Sequence, residues 1–339
     1  MRKMIKTLFV SIASLSLMIS ANAGEMSVSG TAKATYNASS GVAQANGIGI
    51  TNELTFGASG ELDNGYTWSY AMEHDPSNTA VTNDDTQVSL TMGDLGTVKL
   101  CVSECGMNAK YAFSADAYGK MSDTGLSEGI IYPDDLGSTN NMQYHSPELP
   151  FSTVVSVGYG QAKVDALGGN GQGGADSDSM ESYMIKTSPV DGLTVTATYY
   201  DKNDYDDGLT NENQLEEGGA YGAKYSIGNI TVGYGKSYKA PQGTAIDAGA
   251  TTVEFYENTG MSLGYAINDN MSISYTDENS EASYLTSSTA AFDIEMTSIQ
   301  ASYNIGGATV SVARTSYENL DYTENKDADE TIIALSFAF

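Results

Sequence analysis

The sequence predicts an all-β chain, an antiparallel transmembrane β-barrel of sixteen strands with short periplasmic turns and long extracellular loops. Three observations lead there. Apolar residues recur with period two almost from end to end, tight turns alternate with long polar segments, and the chain opens on an export leader.

The leader comes first. Arg2, Lys3 and Lys6 precede an apolar stretch from Leu8 to Ile19 and then Ala21-Asn22-Ala23. A charged start, an apolar centre and a small-residue cleavage site make residues 1–23 a secretory signal peptide, to be cleaved. About a dozen apolar residues are too few to span a bilayer permanently. The whole chain of 339 residues carries 43 acidic and 15 basic side chains, a net charge of −28. The leader takes three of the basic residues and none of the acids, so the single domain 24–339 would stand at −31.

That balance excludes several classes. Nucleic-acid binding rewards clustered Lys and Arg, which an anionic exported chain lacks. No apolar run beyond the leader approaches 18 residues, so no transmembrane helix is expected. Two cysteines cannot build a disulfide scaffold of the small secreted kind.

The strands follow from the alternation. Met26, Val28, Ala32, Ala34 and Tyr36 alternate with Ser27, Ser29, Thr31, Lys33 and Thr35. Further runs are Leu54 to Ala58, Tyr66 to Met72, Val88 to Met92, Leu193 to Tyr199, Met271 to Tyr275, Val310 to Val312 and Thr331 to Phe339. Each reads as a strand with one apolar and one small polar face. Turn chemistry sorts them into pairs: Asp63-Asn64-Gly65, Asp94-Leu95-Gly96, Pro147 to Pro150, Pro189 to Gly192, Gly228-Asn229, Asn268-Asp269-Asn270 and Gly306-Gly307. Seven such turns separate eight strand pairs. Between them lie long polar segments, roughly 37–49, 74–84, 102–139, 161–179, 202–215, 239–252, 278–290 and 317–329. Short turns at one end and long loops at the other are the asymmetry of an outer-membrane barrel. A soluble β-sandwich also alternates. The even strand number, tyrosines towards strand ends and the terminal Phe339 favour the membrane, where closure removes edges that hydrocarbon cannot solvate.

The Asp63-Asn64-Gly65-Tyr66 hairpin, the Gly93-Asp94-Leu95-Gly96 turn with the long segment after it, and the closing strand ending on Phe339 together resemble the general diffusion porins of Gram-negative outer membranes. The resemblance covers essentially all of the mature chain. It implies a homotrimer, passive passage of small hydrophilic solutes, and insertion by the barrel-assembly machinery reading Phe339. It also implies that the third loop, 102–139, folds into the lumen as a constriction. On that reading Glu104, Asp116, Asp123 and Glu128 are loop-side acids facing basic groups of the wall, and Asp134, Asp135, Lys110 and Lys120 share the loop. A transverse field of this kind selects solutes by charge.

Phase supplies the wall. Lys33, Glu53, Lys99, Lys186 and Lys224 fall on the polar register of their strands, with Glu73, and should face the lumen. A one-residue slip would put charge into lipid at about 2–4 kcal/mol for Lys near midplane. The porins resembled usually present an arginine cluster, whereas the single mature arginine here, Arg314, shares the phase of Val310 and Val312. Scarce basic residues in the lumen and a charge of −31 together predict a preference for cations.

Cys101 and Cys105 can form a disulfide in an oxidising periplasm, provided the chain turns between them; two thiols without a nearby His make a poor metal site. The acidic runs 201–217 and 317–330 could hold Ca²⁺ or Mg²⁺ loosely and bridge to lipopolysaccharide phosphates, with no cofactor otherwise expected. An enzyme would need an oriented base beside a nucleophile. Only His74 and His145 are available, and Ser146 points away from its neighbour on a strand.

Overall fold

Period-two patterning becomes a wall because neighbouring strands must satisfy each other's backbone groups in hydrocarbon. The computed structural model describes residues 24–41, 46–76, 81–120, 129–161, 179–203, 212–241, 243–244, 253–285 and 292–339. The leader, Asp123 and Glu128 lie outside them. Sixteen strands close the barrel. The first eight are β1 (Glu25–Gly41), β2 (Gly47–Glu61), β3 (Thr67–Pro76), β4 (Val81–Thr91), β5 (Thr97–Val102), β6 (Asn140–His145), β7 (Val154–Gln161) and β8 (Ser179–Thr187). The others are β9 (Leu193–Lys202), β11 (Glu217–Ile227), β12 (Ile230–Ala240), β14 (Val253–Asn268), β15 (Met271–Tyr284), β16 (Ile294–Asn304), β17 (Ala308–Glu318) and β18 (Ala328–Ala338). Two short strands, β10 (Glu212–Gln214) and β13 (Gly243–Thr244), pair with each other apart from the wall.

Each barrel strand pairs with the next, and β18 returns to β1, where Thr31 faces Ala338 and Gly41 faces Ala328. Phe339 completes the seam: its N–H donates to Gly30 O (3.0 Å) and its carbonyl accepts from Gly30 N–H (2.7 Å). Gly30 leaves room for the Phe339 ring, which would lie 2.7 Å from any Cβ placed there. The seven tight turns fall between paired strands where the sequence puts them, and Gly65 takes a φ of +81° in the first.

Apolar side chains point outward. Leu100, Met261, Leu263 and Ile299 are exposed on that face, as a lipid-facing surface requires. Three of the long loops are shorter than the sequence suggests, because β1 continues to Gly41, β3 to Pro76 and β15 to Tyr284. The reason is physical. Once a strand rises past the apolar band, both its faces are polar and the alternation disappears, yet the hydrogen-bond ladder continues. Outward Glu257 and Glu281 face each other across β14 and β15 in that upper region. Arg314 is there too, on the outer face of a regular strand, 3.5 Å from Asp329.

Among the described residues, two small clusters of buried apolar side chains lie inside the wall: Met107, Leu136, Met180 and Tyr200, and Ile294, Met296, Tyr317, Leu320 and Ala328. Met180, Tyr200, Met296 and Tyr317 occupy inner positions that a uniformly polar lumen would not use. They pack against the third loop or residues beside it.

Candidate functional site

β5 and β6 are only six residues each, and the described chain between them, 103–120 and 129–139, turns inward rather than continuing up the wall. Its root is tied closely. Cys101 and Cys105 are joined as a disulfide with Cα atoms 6.1 Å apart, and Ser103 and Cys105 take φ of +53° and +64° to make the turn. Asn141 Nδ2 donates to the carbonyls of Glu104 (3.0 Å), Leu136 (3.0 Å) and Thr139 (2.9 Å), drawing the two limbs together. The Asp135 carboxylate accepts from Met107 N–H (2.6 Å) and Gly137 N–H (3.1 Å). Gln143 donates to the Cys105 carbonyl.

Beyond the root, inner side chains of successive strands receive the loop's backbone. Ala109 N–H donates to Thr198 Oγ1 on β9 (3.1 Å), and Lys224 Nζ on β11 donates to Ser114 O (3.2 Å). Ala115 N–H donates to Ser262 Oγ on β14 (2.6 Å), and Ala117 N–H to Ser274 Oγ on β15 (2.9 Å). Gln300 on β16 accepts from Tyr118 N–H (2.8 Å) and donates to Gly119 O (2.8 Å). Such bonds replace the water that a lumen-facing loop would otherwise keep.

Phe113 sits in the middle of this ladder and is 3% exposed. Beneath it Gly222, Gly235 and Gly260 occupy one row across β11, β12 and β14. A Cβ on Gly235 would lie 2.9 Å from Phe113 Cδ1, one on Gly260 would overlap the ring, and one on Gly222 would lie 2.8 Å from Ala112 Cβ. Glycine inside a strand here marks close approach of another chain segment. Burying the ring contributes about 2–3 kcal/mol.

The returning limb is held by charge. Lys202 and Lys239 both reach Asp134, the latter at 2.5 Å, and both reach Glu216, at 2.7 and 3.3 Å. Burial would raise the Asp134 carboxyl, but hydrogen bonds from the two lysines outweigh it and hold the group at about 2. Tyr132 Oη donates to Glu278 (2.5 Å), and Asn258 Nδ2 donates to Ile131 O (3.1 Å).

The loop-side acids go to different places. Asp116 turns behind the loop, accepting from Ser114 Oγ (2.7 Å) and from Thr276 Oγ1 on β15. Burial raises its pKa against those hydrogen bonds and the nearby charges of Lys120 and Lys224. Glu104 Oε1 accepts from the Cys105 N–H (3.3 Å). The cations of the loop lie on aromatic faces: Lys110 is 4.9 and 5.0 Å from the ring centres of Tyr111 and Tyr132, and Lys120 is 5.4 Å from Tyr111.

On the wall, Lys33 lies 5.9 Å from the ring centre of loop residue Tyr118. Lys33 and Glu53 also share a cleft of about 420 Å³ with Thr31, Thr51, Thr309 and Ser336. Lys99 stands between Ser89 and Gln143 on the inner register, and Lys186 stands between Val154 and Thr196. Lys224 is at the loop, remote in sequence from Lys33 and Lys99. His145 pairs with Ser156 Oγ (2.7 Å) and Gln143 Oε1 (2.9 Å), but Ser156 is fully buried and open to no substrate. Among the described residues no group of three or more His, Cys, Asp or Glu is gathered for a metal ion. Alternation alone does not mark Phe113 or Gln300; the sequence signal for the Phe113 seat is glycine at strand-interior positions.

A family model described as Gram-negative porin matches residues 10–339. Among solved structures, the Salmonella typhi OmpF complex with daunomycin superposes with a TM-score of 0.69 at 14% identity, covering 94% of this chain and 98% of that one. A loop-deletion mutant of the Vibrio cholerae outer membrane protein OmpT gives 0.66 at 13%, over 94% and 100%. The trimer form of OmpT gives 0.64 at 13%, again over 94% and 100%. No curated protein sequence matches.

Proposed function

The chain belongs to the Gram-negative porin family, an outer-membrane barrel that works as a channel and not as an enzyme, and from that premise we propose that it passes small hydrophilic solutes passively, with cations preferred, between the third loop and the inner face of β1–β5. One observation carries this reading. The loop is fastened to the opposite wall by its own backbone, while Thr31, Thr51 and Ser69 on the near side stay exposed. The charge of that side supports the preference: Glu25, Glu53, Glu61 and Glu73 share the inner register of β1–β3, against Lys33 there and Lys99 on β5. Fixed charges along a narrow passage favour ions of opposite sign.

The remaining parts of the proposal rest on family membership and composition. They are a homotrimer, insertion by the barrel-assembly machinery with Phe339 as its signal, and Ca²⁺ or Mg²⁺ held loosely between acidic loops and lipopolysaccharide phosphates. The test is a planar-bilayer recording of the purified protein in a KCl gradient. Stepwise conductance with a cation-sign reversal potential is expected, moving towards zero in Glu53→Gln/Glu73→Gln. Anion selectivity would sink the charge assignment, and absence of conductance would sink the channel.

A further inference from the structure

Glycine is costly inside a β-strand, so a row of three on adjacent strands calls for an occupant. Gly222, Gly235 and Gly260 stand side by side on β11, β12 and β14, and the occupant is the ring of Phe113 with the backbone beside it. We propose that this shelf and its aromatic key set the width of the passage, making Phe113 and Gly260 positioning residues for conduction. The inference rests on the channel reading above.

The geometry gives the latch a direction. Polar contacts on both sides of Phe113, at Ala109 and Ala115, draw the loop onto the wall. Depth is set where the loop touches the sheet. Gly233 and Gly264 extend the contact, meeting the Phe113 backbone and, at 2.8 Å from a Cβ, the Ala115 carbonyl. Because these wall positions have no side chains, residues 112–115 lie flush on β11–β14, and among the described residues Thr31, Thr51 and Ser69 on the β1–β5 side stay exposed. A methyl group on the shelf lifts the loop into the open space. Loss of the ring instead removes bulk from between loop and sheet and lets the loop settle closer to the wall. The two kinds of change therefore act on the passage in opposite senses.

The experiment records single-channel conductance and exclusion of graded polyethylene glycols for the full-length protein, Phe113→Ala, Gly260→Ala and the double variant. Folded barrels are selected by their heat-modifiable migration in SDS gels. Gly260→Ala is expected to lower conductance by about one half and to exclude smaller polymers, since passage follows pore diameter. Phe113→Ala is expected to raise conductance and admit larger polymers. The double variant should return towards the parent, because an alanine methyl fits where the ring is gone. If Gly260→Ala does not assemble, Gly222→Ala with Ala112→Gly as its rescue makes the same test. Unchanged conductance in the single variants, shifts of the same sign, or a double variant no nearer the parent than Gly260→Ala would overturn the proposal. Failure of the parent to conduct would instead remove the channel reading beneath it.

Discussion

The inner faces of β1–β5 and of β11–β17 carry the same small polar residues in the same alternation, yet their surroundings differ. On the first, Thr31, Thr51 and Ser69 are exposed. On the second, Ser274, Thr276 and Ser298 are 5%, 0% and 1% exposed, because the third loop and its neighbours cover them. Alternation therefore fixes which face a residue occupies and leaves its role open. The near-side hydroxyls are open to water, whereas on the far side Ser274 receives the Ala117 N–H and Thr276 donates to the Asp116 carboxylate. Glycines along the covered strands distinguish the two, since Gly222, Gly235 and Gly260 stand where the loop comes within van der Waals contact of the sheet.

One substitution on each side separates the two environments. Ser274→Lys removes the acceptor for Ala117 N–H and brings a charge under the loop; a loss on the order of 2–4 kcal/mol is expected. Thr31→Lys keeps its charge in water and should stay within about 0.5 kcal/mol of the parent, while moving the reversal potential towards anions. Urea-unfolding midpoints in detergent, read beside bilayer recordings, measure both. Equal destabilisation of the two variants would show that the walls are not different environments.

A smaller effect is expected where the two regions meet. Cys101 lies on the inner register of β5, at the border of the open side, and its disulfide to Cys105 closes a five-residue ring at the loop root. Chain-entropy reasoning gives such a ring about 2 kcal/mol. Cys101→Ser/Cys105→Ser should lose about that much and expose the loop root to protease while the barrel remains closed. Unchanged protease resistance would show that Asn141, Asp135 and Gln143 suffice to hold the root.

What is legible in the sequence is what is local. The seven turns and the outward phase of Leu54, Val195, Ile273 and Ile333 depend on residues two or three apart, and they stand where the alternation puts them. Strand ends above the membrane are less legible, because Asp277, Asn279 and Glu281 continue β15 with no apolar partner to mark the period. The interior of the third loop is the least legible. Phe113 meets glycines more than a hundred residues away, and nothing near it in the chain distinguishes it from an exposed loop aromatic. Acid content is an equally poor guide there. Asp134 and Asp116 look alike in the sequence, but one is clamped by two lysines and the other lies against a threonine.

Those two acids give the finest contrast. Asp134 is held at about 2 against an ordinary 3.8, so its charged form is the one the folded loop favours. Its contribution is complete above about pH 4 and disappears as pH falls through about 2. The side chain is 32% exposed, and solvent screening leaves a contribution on the order of 1 kcal/mol. Asp116 runs the other way. Burial raises its pKa, so its charged form is disfavoured in the folded loop and protonation on acidification relieves a cost. Asp134→Asn should therefore lower stability at pH 7, with the deficit vanishing by about pH 2, whereas Asp116→Asn should be neutral or slightly stabilising at pH 7, its amide still able to accept from Thr276. Unfolding midpoints of the two variants across pH 7 to 2 separate these outcomes. A larger loss at pH 7 from Asp116→Asn than from Asp134→Asn would mean that the loop is anchored through Thr276 on β15 and not through the lysines of β9 and β12.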